Sequence, residues 1–365
     1  MAGLNAYPRF AAMLFLTGWL VTSSCKKDGA AGTVPVVALH PAELSVPANF
    51  PAVKSDPDNP LTQEGIALGR MLFYDTRLSG LNRLSCASCH RQDIAFSDGV
   101  ALNNIGESGN TLPRHAPALI NLIWANNGLF WDGGSTNLES QAFGPLTSVD
   151  EMHQNLSELE AELKQVPEYV QQFKTVFNGE VKSASIVKAL AQFERTLISG
   201  NSRYDRFIRK ENGVQLSDQE QQGLALVNSK CRSCHAGELF TDNGYHNNGI
   251  DNDFSNDALE RIYMGRFRIT NNQADLGKFK TPTLRNILLT APYMHDGRFK
   301  TIDEVLAHYH NDIRISATTD PLLYQNGGQA GIPMTDQEMK AIKAFLAALT
   351  DTDFVQNPKL SKPNL

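Results

Sequence analysis

The sequence is short of cysteine and of basic charge. Of its 365 residues five are Cys; four belong to two copies of one short motif, and the fifth, Cys25, ends an N-terminal apolar segment. None is therefore left for a disulfide or a catalytic thiol. Lys and Arg number 33 against 39 Asp and Glu, which gives a net charge of -6. Because no segment supplies the concentrated basic surface that phosphate binding needs, nucleic acid is excluded as a partner.

Runs of alternating β-branched residues, the pattern of a strand, are also missing. Helical signals stand in their place. Capping boxes of the form Ser/Thr-x-x-Glu predict three helix starts, at Ser217, Thr301 and Thr335. A composition of 41% hydrophobic and 20% charged residues is that of a globular protein long enough for two or three domains. The sequence predicts a mainly α fold with much loop.

The motif that recurs is Cys-x-x-Cys-His. Its residues are Cys86, Cys89 and His90 in the first copy, and Cys231, Cys234 and His235 in the second. Two thiols at this spacing add across the vinyl groups of one haem, and the adjacent His turns its imidazole onto the iron. A redox dithiol or half of a zinc site would explain one copy, but two distant copies that both end in His favour two covalently bound haems c.

The N-terminal segment carries the signals of export. Residues 1–24 have a basic start and an apolar run too short to span a bilayer, as in a signal peptide. The run ends in Val-Thr-Ser-Ser-Cys, which resembles a bacterial lipobox, so Cys25 is the predicted lipid anchor and the sole membrane contact. The alternative is a soluble exported protein that loses Cys25 with the signal. Both interpretations predict a periplasmic protein, with residues 25–60 as a tether.

A loose internal repeat precedes the two motifs. Gly-Ile-Ala-Leu at residues 65–68 lies before the first copy, and Gly-Leu-Ala-Leu at residues 223–226 lies before the second. This register matches Gly65 with Gly223 and leaves a longer insertion in the first half. The repeat predicts two related units, not a tandem array.

Further motifs follow each copy. They are Phe96-Ser97-Asp98-Gly99, Arg114-His115-Ala116-Pro117, Phe130-Trp131-Asp132-Gly133, Gln141-Ala142-Phe143-Gly144-Pro145, Glu151-Met152, Lys280-Thr281-Pro282-Thr283-Leu284-Arg285-Asn286 and Ala291-Pro292-Tyr293-Met294-His295-Asp296-Gly297. Together they resemble the bacterial di-haem cytochrome c peroxidase family, which includes MauG. The resemblance implies two cytochrome c-like haem domains packed together with extensive loops: a peroxidatic domain at 61–212 and an electron-transfer domain at 213–350, followed by a tail at 351–365.

The resemblance also implies roles for residues near the first haem. His90 is its proximal ligand, and Gln141, Pro145 and Glu151 match distal-pocket positions. Cleavage of H2O2 moves a proton from the inner to the outer oxygen, which a poorly solvated carboxylate can do, so Glu151 is the predicted general acid/base. The stretch that ends in Glu151 also has the form of a capping box, and the two roles are compatible. Trp131 matches a Trp between the two haems, a predicted electron relay; the alternative is simple core packing.

Two positions depart from the family pattern. Some members carry a His in the loop after the first haem that must leave the iron before peroxide binds; this sequence has Gly106 there, which predicts an open first haem. The family usually has an Asn calcium ligand where this chain has His115. A calcium ion is still implied by the matching carbonyls of Thr290 and Pro292.

The second haem has His235 as its predicted proximal ligand. Its sixth ligand, by the resemblance, lies fourteen residues after the His of Pro-Tyr-x-His-Asp-Gly, which is Tyr309. Peroxidases of the family have Met there and MauG-like members have Tyr; an anionic phenolate lowers the haem potential, whereas Met raises it. Helical spacing also fits Tyr309 as a core residue. His308 and His310 are rival ligands, and Met294 is disfavoured.

Three functions follow from these features. The leading one is reduction of H2O2 by a di-haem peroxidase that receives electrons from a small cytochrome c or cupredoxin. The first alternative is a MauG-like oxidase that acts on side chains of a partner protein, which Tyr309 favours. The second is a di-haem electron carrier without catalysis, which Gln141 and Glu151 argue against. The oligomeric state, a homodimer included, stays open.

Overall fold

The computed structural model describes residues 38–100, 105–256, 261–325 and 327–364, and this part of the chain is mostly helical. The twelve helices within it are α1 (Gln63–Phe73), α2 (Cys86–Cys89), α3 (Leu138–Thr147), α4 (Leu156–Leu163), α5 (Pro167–Phe177), α6 (Ser183–Glu194), α7 (Arg203–Ile208), α8 (Asp218–Lys230), α9 (Phe267–Thr270), α10 (Ile302–Asn311), α11 (Asp336–Ala348) and α12 (Thr352–Val355). Two short strands, β1 (Tyr245–His246) and β2 (Phe279–Lys280), pair antiparallel. The predicted mainly α class is confirmed.

Local sequence determines where the main helices begin. The three predicted capping boxes begin α8, α10 and α11. In each, the Ser or Thr side chain accepts from the backbone amide of the Glu at N3, and the Glu carboxylate accepts from the backbone amide of the Ser or Thr. Asn137 and Ser140 form a further box at the start of α3. Each box satisfies backbone N–H groups that a helix end leaves without partners, at a typical stabilisation of about 1 kcal/mol.

Two pairs of crossing helices form the framework of the repeat. A Cβ on Gly69 of α1 would overlap the Ala189 carbonyl of α6 and lie 3.0 Å from the Cβ of Phe193. A Cβ on Gly223 of α8 would likewise overlap the Ala341 carbonyl of α11 and lie 2.7 Å from the Cβ of Phe345. Both glycines let two helix backbones approach closely.

The structural counterpart of Gly223 is therefore Gly69, not Gly65. The register predicted from the sequence was wrong by about one helical turn. A match of four residue types does not show which residues of α1 face α6. Gly65 instead packs against the side chain of Gln192.

Each crossing supports its own hydrophobic core. The first core contains Leu68 and Phe73 of α1, Phe193 of α6, and also Phe354 and Leu360 from the C-terminal end of the chain. The second contains Val227 of α8, Leu306 of α10 and Phe345 of α11, together with residues of the segments between them such as Phe240 and Tyr293. The C-terminal residues predicted to be a tail thus pack on the first core, where Gln92 also bonds the Asn357 carbonyl at 2.8 Å.

Residues 38–60, predicted as tether from their composition, also contact the body of the protein. Phe50 is buried and packs edge-on against Trp124 at a centroid distance of 5.3 Å. Asn49 donates a 3.0 Å hydrogen bond to Asp205. Such contacts, made by single side chains of an irregular segment, leave no periodic pattern for composition or spacing to show.

Buried polar groups join the first half to the second. Arg285, in the Lys-Thr-Pro-Thr-Leu-Arg-Asn motif, forms a bidentate pair with Asp205 at 2.8 Å, and both side chains are fully buried. Asn286 donates to Ser199 at 2.8 Å and accepts from the Asp351 amide at 2.7 Å. A buried charge pair of this kind requires further hydrogen bonds, which the Glu238 carbonyl supplies to Arg285 at 2.8 Å and the Ser202 hydroxyl to Asp205 at 2.6 Å.

None of the helices in the described ranges is both long and apolar enough to cross a membrane. The predicted signal peptide at 1–24 and the predicted anchor Cys25 lie outside the described residues. Those two predictions therefore have no structural counterpart to compare with.

Candidate functional site

The first motif places His90 with a defined ring orientation. The Nδ1 atom of His90 lies 2.9 Å from the carbonyl oxygen of Phe96. Since a carbonyl oxygen only accepts, Nδ1 carries the proton and Nε2 keeps a lone pair for a metal. Burial lowers the pKa of His90. The ring is thus held neutral, which is the form that ligates iron.

The second motif repeats this arrangement. Nδ1 of His235 lies 3.1 Å from the Pro282 carbonyl oxygen and 3.3 Å from that of Phe240. Burial lowers the pKa of His235 as well. In both halves a Phe shortly after the His supplies a carbonyl that selects the same tautomer.

Three of the motif thiols, Cys86, Cys89 and Cys231, differ from the reactive thiols of redox dithiols. Burial raises the pKa of Cys86, and raises that of Cys89 and of Cys231 to about 11. A catalytic dithiol instead has a thiol with a lowered pKa. Cys86 packs against the first core and Cys231 against the second, so each motif borders an apolar region. These residues fit haem attachment: two thiols and an oriented neutral imidazole beside apolar side chains.

The predicted distal residues come together on α3 and on the turn after it. Gln141 and Pro145 are four residues apart and share one face of α3. The chain then reverses, and the amide of Met152 donates to the Pro145 carbonyl at 3.1 Å. This bond brings Glu151 back beside the last turn of α3. The charge of Glu151 also raises the pKa of Cys89, although burial and Asp98 contribute more.

Glu151 has the environment of a proton-transfer group. Burial raises its pKa, and the charge of the neighbouring Asp150 raises it further. The alternative of a helix cap is wrong: Ser148 ends α3, and the next helix, α4, begins at Leu156 after its own cap, Asn155. Residues 149–152 form a turn, so the capping-box pattern has no helix to open.

Trp131 lies between the segments that flank the two histidines. Its indole Nε1 donates to the carbonyl of His115 at 2.8 Å, and its own carbonyl accepts from the Lys280 amide at 2.8 Å. Two residues beyond Lys280 is Pro282, whose carbonyl orients His235. Although Trp131 is buried, it is more than core, because its polar atoms link one motif's surroundings to the other's.

His115 lies against a carboxylate. Its Nδ1 lies 2.6 Å from Oδ1 of Asp98, both residues are buried, and Oδ2 of Asp98 accepts from the Ala116 amide at 2.8 Å. Calcium takes oxygen ligands, which the His115 ring does not offer. Among the described residues no group of three or more His, Cys, Asp or Glu side chains has an arrangement that could hold a metal ion. The Thr290 and Pro292 carbonyls stay predicted ligands only.

Of the three candidates for the second iron, Tyr309 has electrostatic contact with the second motif. Burial raises the pKa of Tyr309 to about 12, and the charges of Cys234 and Cys231 raise it as well. His308 has Nε2 at 3.0 Å from the Asn248 carbonyl. His310 accepts at Nδ1 from the Met334 amide at 3.2 Å. One ring nitrogen of each rival bonds the backbone, as Nδ1 of His90 and of His235 does, so these bonds leave both as rival ligands.

Two residues of the site had no assigned role in the sequence. Asp132, fully buried, pairs with Arg114 at 2.7 Å and with Arg268 at 3.1 Å; its place in Phe-Trp-Asp-Gly was the available signal. Asn248 contacts the Tyr309 hydroxyl and donates to the sulfur of Met294 at 3.2 Å. Nothing in the sequence marks Asn248, because its partners lie more than forty residues away in the chain.

Comparison with known proteins agrees with this geometry. The family model for di-haem cytochrome c peroxidases matches residues 63–213. The chain is 33% identical to the methylamine utilization protein MauG of Methylorubrum extorquens over 345 residues, which cover 93% of each protein. The chain belongs to the di-haem cytochrome c peroxidase family.

Peroxidases are among its similar relatives too. It is 33% identical to the cytochrome-c peroxidase IdrP1 of Denitromonas iodatirespirans over 342 residues, 85% of this chain and 88% of that protein. The crystal structure of a MauG-like protein associated with microbial copper homeostasis superposes with a TM-score of 0.80 at 34% identity, covering 88% of this chain and 99% of that one. The family is one of di-haem oxidoreductases, so the protein is an enzyme of the peroxidase type with haem c as cofactor.

Proposed function

We propose that this protein reduces H2O2 to water with electrons from a small redox protein, and that Glu151 moves the proton. The observation that carries the proposal is the turn after α3, which returns the half-buried Glu151, whose carboxyl has a raised pKa, to the helix that bears Gln141 and Pro145. His90 and His235 would hold the two irons through Nε2. When bound, the haem groups supply the redox chemistry.

The proton chemistry follows from the position of Glu151. The carboxylate accepts the proton of one peroxide oxygen and returns it to the other, so that the O–O bond breaks with its electron pair on the oxygen that leaves as water. Two electrons and two protons complete the reduction of one H2O2 to two waters. Gln141 lines the same face and orients peroxide, and Pro145 leaves the Gln141 carbonyl without its usual helical partner.

Electrons reach the site through the second half. A small cytochrome c or a cupredoxin is the proposed donor, and Trp131 is the proposed relay because its polar atoms contact both flanking segments. Asp132 and its arginine partners fix the loop that carries Trp131. Two cytochrome c-like haem domains, divided near residue 212, are part of this proposal, and a homodimer stays a prediction.

A second candidate function is a MauG-like oxidation of a partner protein. Tyr309 favours it, since Tyr309 packs on the same core as Cys231 and interacts electrostatically with Cys234 and Cys231. Identity of 33% with a MauG over 93% of the chain supports the same alternative. A pure electron carrier is disfavoured, because it has no use for a carboxyl with a raised pKa beside α3.

Location and calcium are the remaining parts of the proposal. Residues 1–24 would direct export to the periplasm, and a lipid on Cys25 would hold the protein at a membrane. Incorporation of labelled palmitate that disappears in Cys25→Ser tests this anchor.

Calcium at Thr290 and Pro292 would require ligands other than the His115 ring. An unchanged melting temperature after chelation of calcium would count against the calcium site.

Replacement of Glu151 by Gln tests the function. The amide keeps the size of the side chain and removes the proton acceptor, so peroxide turnover should fall by ~10²–10⁴ with both haems retained. Glu158→Gln, on α4 and away from the turn, is the control. Unchanged turnover in Glu151→Gln would remove Glu151 from the mechanism.

A further inference from the structure

The turn at residues 105–110 is packed directly against the segment that carries Glu151. The amide of Glu107 donates to the carbonyl of Glu151 at 2.7 Å. Oδ1 of Asp150, the neighbouring residue, accepts from the Ser108 hydroxyl at 2.9 Å and from the Asn110 side chain at 3.0 Å. These hydrogen bonds join Glu107, Ser108 and Asn110 of one turn to Asp150 and Glu151 of the other.

The contact between the two turns requires a glycine at position 106, because it leaves no room for a side chain. A Cβ at Gly106 would overlap the carbonyl of Asp150 and lie 2.8 Å from the carbonyl oxygen of Glu151. Gly106 is not among the glycines with positive φ. Its requirement is therefore one of space: any side chain would push the turn off the Glu151 segment.

The turn is itself anchored to the approach to the first motif. Glu107 is buried, and Oε2 of Glu107 accepts from Arg83 at 2.9 Å and 2.5 Å. On the other side, the amide of Gly80 donates to the Met152 carbonyl at 2.8 Å. Residues 79–83 lead directly into the Cys86–Cys89 helix. The Glu151 segment is therefore held between the turn and the chain that bears the first motif.

We propose that residues 106–110 form a brace that holds Glu151 in its working position in the resting enzyme, with Gly106, Ser108 and Asn110 as positioning residues. The inference rests on the proposed role of Glu151. The brace acts through backbone position, since its bonds go to the Glu151 carbonyl and to Asp150 and not to the Glu151 carboxyl. A misplaced catalytic group loses rate without losing substrate affinity, so the brace governs kcat more than KM.

The experiment compares peroxide turnover of the full-length holoenzyme in three variants: Gly106→Ala, the pair Ser108→Ala/Asn110→Ala, and that pair combined with Glu151→Gln. Ser108 and Asn110 are exposed, so replacing both by Ala should leave the fold intact. This pair therefore tests the brace even if Gly106→Ala fails to fold. The matched controls are Gly179→Ala, where a Cβ meets ordinary contact at 3.6 Å, and Gln171→Ala/Thr175→Ala, an exposed bonded pair on α5.

The brace predicts that Gly106→Ala and the Ser108/Asn110 pair lower kcat by roughly 10- to 100-fold with KM within about twofold. Haem content should match the wild type and both controls should keep its kcat. The triple variant should be no slower than Glu151→Gln alone, because the brace is proposed to act only through Glu151.

Wild-type kcat in the Ser108/Asn110 pair, with Glu151→Gln inactive, would overturn the brace and leave the proposed function standing. A loss in the pair that multiplies with that of Glu151→Gln would also overturn it, since the brace would then act elsewhere. Full activity in Glu151→Gln would overturn both.

Discussion

The indole Nε1 of Trp131 donates a 2.8 Å hydrogen bond to the backbone carbonyl of His115. In the same residue the backbone carbonyl accepts from Lys280, two positions before the carbonyl that orients His235. His115 in turn is an electrostatic neighbour of His90. Trp131 therefore connects the surroundings of the two predicted proximal ligands, and its role as electron relay is the proposal to be tested.

Replacing Trp131 by Phe should slow steady-state turnover while leaving the first reaction with peroxide at its wild-type rate, because only the resupply of electrons passes Trp131. Loss of the bond to the buried His115 carbonyl should also lower the free energy of unfolding by about 1–3 kcal/mol. Stopped-flow absorbance separates the two rates.

Trp124→Phe is the matched control, since Trp124 is equally buried and donates to the Pro51 carbonyl at 3.1 Å. It should lose comparable stability and keep its turnover. Equal slowing in both variants would assign the effect to stability and remove Trp131 from the relay.

Two haems should be bound covalently to each chain, one at each Cys-x-x-Cys-His. A pyridine haemochrome assay on the purified protein should give two haems per chain, resistant to acidic organic solvent. Cys231→Ala/Cys234→Ala should retain one. A wild-type value of one, or extractable haem, would contradict the assignment of His90 and His235.

If Tyr309 is the sixth ligand, replacing it by Phe should change the electron paramagnetic resonance signal of the second haem, because the phenol oxygen is then lost from the iron. Replacing it by Met should raise the potential of that haem. Tyr293→Phe, which removes another buried hydroxyl in the same half, should leave the signal unchanged. Identical spectra of the wild type and Tyr309→Phe would turn attention to His308 and His310.

Acid should inhibit peroxide turnover through Glu151. The carboxylate form accepts the proton, so kcat/KM should fall as the pH drops below the pKa of Glu151, which burial and then Asp150 raise above the ordinary value. Asp150→Asn removes the repulsive charge and should move this acidic limb to lower pH.

Asp218→Asn, an exposed change on α8, is the control for the pH profile and should leave the limb in place. The side-chain amide oxygen that Asp150→Asn introduces can still accept from Ser108 and Asn110, so the brace is retained. A limb that does not move in Asp150→Asn would assign it to another group.

Much of the framework was predictable because its signals are local. The capping boxes at Ser217, Thr301 and Thr335 each involve residues three apart, and they open helices in the structure. The distal assignment of Glu151 needed the surrounding motifs, since its immediate neighbours have the pattern of a cap that is not formed.

What the sequence did not reveal depends on contacts between distant parts of the chain. The helix-crossing role of Gly69 depends on Ala189 of another helix. The packing of Phe50 on Trp124, and the buried pair of Arg285 with Asp205, arise between segments more than seventy residues apart. Hydrophobic periodicity does not predict such pairs, because each is a single contact between two side chains.

The stoichiometry of peroxide reduction is the most direct test of the proposed function. The holoenzyme as purified is mixed with a reduced small cytochrome c or cupredoxin and limiting H2O2, and donor oxidation is followed by absorbance. The predicted result is two donor molecules oxidised for each H2O2, without prior reduction of the enzyme, and a rate that collapses in Glu151→Gln. No donor oxidation beyond that of the donor with peroxide alone, or a rate unchanged in Glu151→Gln, would contradict it.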